Sequence, residues 1–192
     1  SHATTYALLS YQQAYLKANY PSHFAAALLT IEAANTDKLA LYLGECRERG
    51  IPVLPPDLNE SQLRFTVAAD GAVRFGLTAI KGVGEGAIQS LLDARATRGR
   101  IRSLHELCED LDLRLFNKRV FESLVKAGAL DSLAQATPYA ALPSAALRPR
   151  LLAAIDAACE HGARVQRDRS LGQAQLFGDG EASADRETAL SL

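Results

Sequence analysis

Apolar residues recur at helical spacing through the first fifty positions of the chain. The opening run has Tyr6, Leu9, Leu16 and Tyr20 at this spacing, with the polar Gln13 in step between them, and Pro21 follows it. This spacing predicts a helix over residues 3–19, because the residue before a proline is disfavoured in helical conformation. Two Ala- and Leu-rich stretches predict further helices, 23–34 behind a Ser22 cap and 37–49 between a Thr36 cap and Gly50.

The pattern changes between residues 51 and 75. Residues 51–59 contain three prolines, which exclude a helix. Apolar positions then alternate with polar ones at Leu63, Phe65 and Val67, and again at 73 and 75, on either side of an Asp-Gly pair. Alternation around such a pair is typical of a β-hairpin.

Helical spacing returns from residue 77 and dominates the rest of the chain. Ser103 and Glu106 form a capping box for a helix over 104–111, and Asn117 and Gly128 bound another over 118–127. A looser helix is predicted from Pro138 or Pro143 to about residue 160, followed by a mostly disordered polar tail. The expected fold class is mostly α, with one small β-hairpin.

Composition narrows the class of protein. The 192 residues are 48% hydrophobic, which is enough for one medium domain or two small ones. The cysteines at 46, 108 and 159 have neither disulfide-framework nor zinc spacing, and no apolar run approaches the ~20 residues of a membrane span. We therefore expect a cytoplasmic protein without a membrane partner. The absence of Met and of a signal peptide suggests a segment of a longer protein.

Charge is distributed unevenly although the net charge is only -1. Residues 74–126 hold 10 basic and 7 acidic side chains, whereas residues 32–70 hold 4 basic and 7 acidic ones. A local basic excess in a neutral chain suggests that the middle of the chain meets an anion.

Residues 77–95 contain the most informative motif of the chain. Gly82, Val83 and Gly84 predict a tight turn between a short helix and a longer one, with Val83 in the seam between them. The seam would be completed by Ile80, Ala87, Ile88 and Leu91. The pattern resembles the helix-hairpin-helix motif of DNA-binding proteins.

This turn offers a binding site for phosphate. The first amides of the second helix, from Gly84 through Glu85 and Gly86, lack intrahelical partners and lie at the positive end of the helix dipole. Lys81 adds a charged contact. Such a site contacts backbone and not bases, so binding should be sequence-independent and salt-sensitive. The alternatives are a turn that only packs, as in a protein-interaction module, and a nuclease or glycosylase, for which no fitting carboxylate is present.

Other basic residues are weaker candidates for DNA contacts. Lys118 and Arg119 begin a helix that resembles a second unit of the same motif, although it has no glycine turn. Arg98, Arg100 and Arg102 alternate in a segment that could follow a phosphate backbone. For both groups, simple solvent exposure is an equally good interpretation.

A short apolar peptide stands out in the polar tail. It consists of Gln173, Ala174, Gln175, Leu176 and Phe177. Two adjacent large apolar side chains are costly in solvent unless they enter a pocket on a partner. The peptide resembles the motif by which bacterial DNA polymerases bind their sliding clamp; the alternative is that Phe177 docks on its own domain.

The chain as a whole resembles the alpha-subunit family of bacterial DNA polymerase III. The matching segments are 1–3, 11–17, 35–38, 55–59, 76–84, 117–119, 127–131 and 172–178. The resemblance implies distal fingers over 1–72, a tandem helix-hairpin-helix domain over 73–170, and a clamp-binding motif with a flexible tail over 171–192. It also implies duplex DNA, the beta sliding clamp and other replicase subunits as partners, in the bacterial cytoplasm at the nucleoid.

Catalytic residues of such a polymerase are missing from this segment. Phosphoryl transfer needs palm carboxylates that hold Mg²⁺, and Asp110 and Asp112 lack a strand context and are predicted to form a solvated acidic turn. The four histidines have no metal-ligand spacing. We therefore expect a non-catalytic segment without a cofactor of its own, in which Ser1 and His2 would lie near the nucleotide of the parent enzyme.

Overall fold

The computed structural model describes residues 2–171, except for the side chain of Ala136. These residues divide into two compact units, one formed by 2–56 with 61–79 and the other by 57–60 with 80–171. Helices predominate in both, and the strands belong to a single small sheet in the first unit. The predicted mostly α fold class is confirmed.

The first unit opens with three helices, α1 (His2–Asn19), α2 (Pro21–Ile31) and α3 (Thr36–Glu48). Their existence was predicted correctly, but two predicted caps are wrong. Helix α2 begins at Pro21, whose ring already fixes a helical φ, so Ser22 lies inside the helix. Helix α3 is capped by Asn35, whose side chain accepts the Lys38 amide at 3.1 Å, and Thr36 is its first residue.

The sheet of the first unit has three strands, β1 (Val53–Leu54), β2 (Thr66–Val67) and β3 (Val73–Arg74), in the order β1-β3-β2. Strands β2 and β3 form the predicted antiparallel hairpin. Strand β1 pairs with β3 in parallel and was missed, because two residues among prolines are too few to show alternation. Leu29 and Val73 are fully buried where α2 packs on the sheet, and a 3₁₀ turn over Leu77–Ala79 ends the unit.

The second unit contains α4 (Glu85–Arg98), α5 (Leu104–Asp110), α6 (Lys118–Ala127), a 3₁₀ segment (Asp131–Ala136) and α7 (Ser144–Ser170). The predicted helix boundaries around α5 and α6 are confirmed. Ser103 accepts the Glu106 amide, Asn117 accepts the Val120 amide, and Gly128 ends α6 at φ 85°. The core is built from the inner faces of these helices, with Leu107, Phe121 and Ile155 fully buried.

Helix α7 continues to Ser170, so the prediction of a helix end near residue 160 and disorder after it is wrong for 161–170. Gln166 supports the extension, because its amide donates hydrogen bonds to carbonyls at the end of α5, those of Cys108, Glu109 and the C-cap residue Leu111. A polar composition suggested disorder, but these polar groups are satisfied by a neighbouring helix end.

Gly162 lets α7 approach α5 closely. A Cβ at this position would overlap the carbonyl oxygen of Cys108, which no larger residue could tolerate without a shift of the backbone. The close approach brings α7 side chains over the end of α5, where His161 Nε2 lies 3.1 Å from a carboxylate oxygen of Glu109.

The prediction that Asp110 lies in a solvated acidic turn is wrong, and its neighbour Glu109 is buried. Arg98 binds both carboxylates, and Arg169 Nη1 lies 3.0 Å from Asp110. Burial opposes ionisation of Asp110, but the hydrogen bonds from Arg98 and Arg169 outweigh it and hold the pKa of Asp110 below its usual range. The cluster is an ion-pair network that joins α4, α5 and α7.

Candidate nucleic-acid interface

The glycine bend precedes α4 and has the predicted tight geometry. The Val83 amide donates to the carbonyl of Ile80 at 3.2 Å, and Gly82 has a φ of 87°. A side chain is disfavoured at this φ, and a Cβ on Gly82 would also lie 2.9 Å from Ser123 Oγ on α6. The bend therefore favours glycine mainly because of its backbone φ, since the Ser123 hydroxyl can rotate away from a Cβ.

The apolar seam beneath the bend is confirmed. Val83 is 9% exposed and turns inward, while both flanking glycines are exposed. The other predicted members of the seam, Ile80, Ala87, Ile88 and Leu91, are also buried. The bend is thus anchored from below and open on its outer side.

The start of α4 presents free amides at this open side. Gly84 is the N-cap residue and no side chain caps the helix; the first intrahelical bond runs from the Ile88 amide to the Gly84 carbonyl. The amides of Glu85, Gly86 and Ala87 therefore lack intrahelical acceptors. We call these three amides with the Gly82–Gly84 bend the amide cradle.

Two charged side chains flank the amide cradle with opposite signs. Lys81 is exposed, and within residues 2–171 no ion-pair partner is recorded for it. Glu85 is also exposed, and it is the acidic residue of the first helical turn. Lys81 would attract a phosphate, whereas the Glu85 carboxylate stabilises the helix terminus and repels the same phosphate.

A second loop, residues 111–117, lies beside the cradle. The methyl carbons of Leu115 are placed 3.7 and 3.9 Å from where a Cβ on Gly86 would lie. This loop leads into α6, whose first turn is capped by Asn117. The second hairpin unit predicted from sequence therefore has its loop next to the first one, but its helix start is closed by a side chain.

Helix α6 begins with two of the predicted cations, which differ in availability. Lys118 Nζ lies 2.6 Å from Asp156 Oδ2, and this hydrogen bond raises the pKa of Lys118. Arg119 is exposed, and no partner is recorded for it in the part of the chain that the structure describes. Arg119 is the freer of the two for an external anion.

Arg98 and Arg100 lie away from the cradle. Helix α4 has 14 residues and therefore separates Arg98 from Gly84 by about 20 Å. The hydrogen bond to Asp110 raises the pKa of Arg98 although burial opposes it, and the guanidinium stays in the internal network. Arg100 is exposed and pairs with Glu60 at 3.3 Å. The structure thus brings neither arginine to the amide cradle.

Comparison with known proteins agrees with the fold of this region. Residues 50–137 match the family model described as a helix-hairpin-helix motif. The chain is 41% identical over 178 residues to DNA polymerase III subunit alpha of Vibrio cholerae and to that of Escherichia coli K12. It is 42% identical over all 192 residues to the same subunit of Saccharopolyspora erythraea.

The chain is homologous to one segment of the DNA polymerase III alpha subunit. The matches cover 93–100% of this chain but only 14–15% of the length of these relatives. The resemblance inferred from the sequence is therefore confirmed, together with its helix-hairpin-helix region.

Other predicted site residues of this chain lie outside the cradle. Ser1 and the peptide over 173–177 fall outside the described residues. His2 is exposed in α1, where its ring meets the edge of Tyr6 at 4.8 Å between centroids. Within residues 2–171 no cluster of His, Cys, Asp and Glu could hold a metal ion, and no helix is long and apolar enough to cross a membrane.

Sequence reasoning missed two residues at the interface, Ser123 and Leu115. Ser123 carries no sequence signal, because its proximity to Gly82 arises only when α6 packs beside the bend. For Leu115 the sequence offered a weak indication of exposure, because this leucine follows Arg114 in a predicted loop. Its neighbour Phe116 is buried.

Proposed function

We propose that this chain is the part of a bacterial replicative DNA polymerase that holds the sugar-phosphate backbone of duplex DNA. The parent enzyme would carry out DNA-directed DNA synthesis with Mg²⁺ bound by palm carboxylates outside this segment. The segment itself would bind DNA and take no part in catalysis. The observation that carries the proposal is the amide cradle, an exposed glycine bend followed by an uncapped helix start, in a region that matches a helix-hairpin-helix motif.

The physical argument concerns one phosphate oxygen at the cradle. Amides without intrahelical acceptors donate to it at the positive end of the α4 dipole. Lys81 contributes the charge-assisted contact and Arg119, across the second loop, is the next available cation. Arg98 is left out because its charge is used internally, and Arg100 and Lys118 must first leave Glu60 and Asp156. Binding should be independent of base sequence.

The salt dependence of duplex binding tests this proposal. Lys81→Ala should weaken binding of the 192-residue chain to a plain duplex and reduce the slope of log affinity against log salt by about one unit. Lys126→Ala is the matched control, because it removes a charge that is already paired with Glu122 at the far end of α6. Equal slopes for wild type and Lys81→Ala would contradict the role of Lys81. No duplex binding by the wild type would favour a protein-interaction module.

Clamp binding is the second part of the proposal. Leu176 and Phe177 would enter an apolar pocket of the beta sliding clamp while Gln173 fixes the register of the peptide. The double variant Leu176→Ala, Phe177→Ala should abolish binding to the purified clamp and leave duplex binding intact. Unchanged clamp affinity in a direct binding assay would end this part of the proposal.

The parent enzyme supplies the remaining context of the proposal. Ser1 and His2 would lie near the incoming nucleotide, other replicase subunits would join the assembly, and the site of action would be nucleoid DNA in the cytoplasm. These features are supported by the similarity of the segment to the alpha subunits. Photocrosslinking of a nucleotide analogue to His2 in the full-length polymerase would test the first of them.

A further inference from the structure

Leu115 is displayed at the surface of the second unit in an unusual way. Its relative exposure is 49%, and among the large apolar side chains described in that unit only Leu171, the last described residue, is comparably exposed. An isolated exposed leucine is unremarkable in itself. Leu115 is informative because of the ordered turn that carries it, its position beside the amide cradle and the charged residues around it.

The second loop holds Leu115 in place. Leu111 and Phe116, which enclose the loop, are each 1% exposed. The amides of Leu115 and Phe116 both donate to the carbonyl of Asp112, at 3.0 and 2.9 Å. The Asp112 amide is in turn bonded to Ser90 Oγ at 2.8 Å. The leucine is therefore presented outward by an ordered turn, whose backbone does not have to be ordered on binding.

The position of Leu115 is at the edge of the amide cradle. Its methyl carbons stand beside Gly86, whose own amide is one of the three free donors. A side chain beside the first turn of α4 is placed to meet a group that is attached to an anion bound at that turn. For a backbone phosphate of DNA, the attached group is deoxyribose, whose carbon face is apolar.

The surroundings of Leu115 favour a polyanion over an apolar protein surface. Arg114, its neighbour, has a side chain that is 91% exposed although it pairs with Asp112. Lys81, which stands just before the glycine bend, is exposed and has no ion-pair partner within residues 2–171. A protein partner would have to desolvate these cations to bury a single leucine, whereas DNA would neutralise them.

We propose that Leu115 packs against the sugar edges of the minor groove next to the phosphate held by the cradle. Apolar side chains of this kind are a recurrent means of contact in the minor groove. The contact gives a part of the duplex affinity that depends neither on base sequence nor on salt. This inference rests on the proposed function and adds a specific apolar contact to it.

Duplex titrations of the 192-residue chain at several salt concentrations test the inference. Leu115→Ala should weaken binding about fivefold at every salt concentration, the effect of removing roughly half a buried leucine side chain, and leave the salt slope unchanged. Leu115→Met should retain binding, because it keeps the apolar volume. The matched control is Leu41→Ala, which removes a leucine with 65% exposure on α3 and should have no effect. Thermal unfolding should be unchanged in all three variants.

The outcomes separate this inference from the proposed function. If Leu115→Ala binds duplex with wild-type affinity while Lys81→Ala has a reduced salt slope, the leucine contact is overturned and phosphate binding at the amide cradle is retained. An equal loss in Leu115→Met or in Leu41→Ala would also overturn it, because the effect would then not be a local apolar contact. Absence of duplex binding in the wild type would instead remove the proposed function itself.

Discussion

The two loops of the second unit are built differently although they lie side by side. The first, with Gly82 and Gly84, exposes backbone amides because no side chain caps α4. The second ends in Asn117, whose side chain already accepts the Val120 amide, and it presents Leu115 instead. One loop thus offers its backbone and the other a side chain. A helix-hairpin-helix pair need not be symmetric in chemistry even where its loops are adjacent in space.

Gly82→Val should break the first loop and have the largest effect. A β-branched residue at a φ of 87°, with a Cβ 2.9 Å from Ser123 Oγ, should lower the free energy of unfolding by about 2–4 kcal/mol and abolish duplex binding. Gly84→Ala is the control, since its φ is -81° and no atom lies within 4 Å of its Cβ. Urea denaturation compares them, and similar losses in both would argue against the strain.

Asp110→Asn should weaken the ion-pair network that precedes the second loop. At neutral pH the variant should lose about 1–2 kcal/mol of stability, because Arg98 keeps only one of its carboxylate partners. The folded-state pKa of Asp110 is lowered, so its contribution is fully present above an unfolded value of about 4 and is lost as the pH falls through the folded value.

The pH dependence of unfolding provides the check for Asp110. Between about pH 5 and pH 2 the wild type should lose more stability than Asp110→Asn. Asp93→Asn is a suitable control, because the Asp93 carboxylate accepts a hydrogen bond from Gln89 on the exposed face of α4, and within residues 2–171 no ion pair is recorded for it. Parallel acid profiles for wild type and Asp110→Asn would show that the network does not stabilise the fold.

Asn117→Ala should show that the helix start after the second loop, unlike the start of α4, uses its amides for capping and not for DNA binding. Loss of the cap should cost about 1 kcal/mol, as for other caps of this kind. Duplex affinity, measured where the variant is fully folded, should stay unchanged, because the Val120 amide that Asn117 caps is not part of the amide cradle. Denaturation and duplex titration measure the two quantities, and a fall in affinity without a fall in stability would assign a DNA contact to this helix start.

Glu85→Gln should have the smallest effect and the opposite sign for binding. Removal of a carboxylate beside the cradle should raise duplex affinity about two- to fivefold, while the helix terminus loses a few tenths of a kcal/mol. Low-salt titration is the sensitive measurement, because salt screens this repulsion. Glu122→Gln is the control, because it removes the same charge from α6. An equal increase in duplex affinity in this variant would indicate a non-local effect of net charge.

The sequence alone determined the features that depend on neighbouring residues. The helix boundaries at Ser103, Asn117 and Gly128, the Asp-Gly hairpin and the glycine bend are set within a few positions by hydrogen bonding and φ preference. The family resemblance and the apolar seam were also visible at that level. Local chemistry suffices for these, because each involves only one turn or one helix face.

Only the tertiary structure decided which polar groups are free. Arg98 and Asp110 looked solvated in the sequence but bind one another, and residues 161–170 looked disordered but cap the end of α5. Leu115 and Ser123 reached the bend only through helix packing. Such pairings join residues up to about sixty positions apart, and the free energy of burying or pairing a charge depends on those distant partners and not on its own neighbours in sequence.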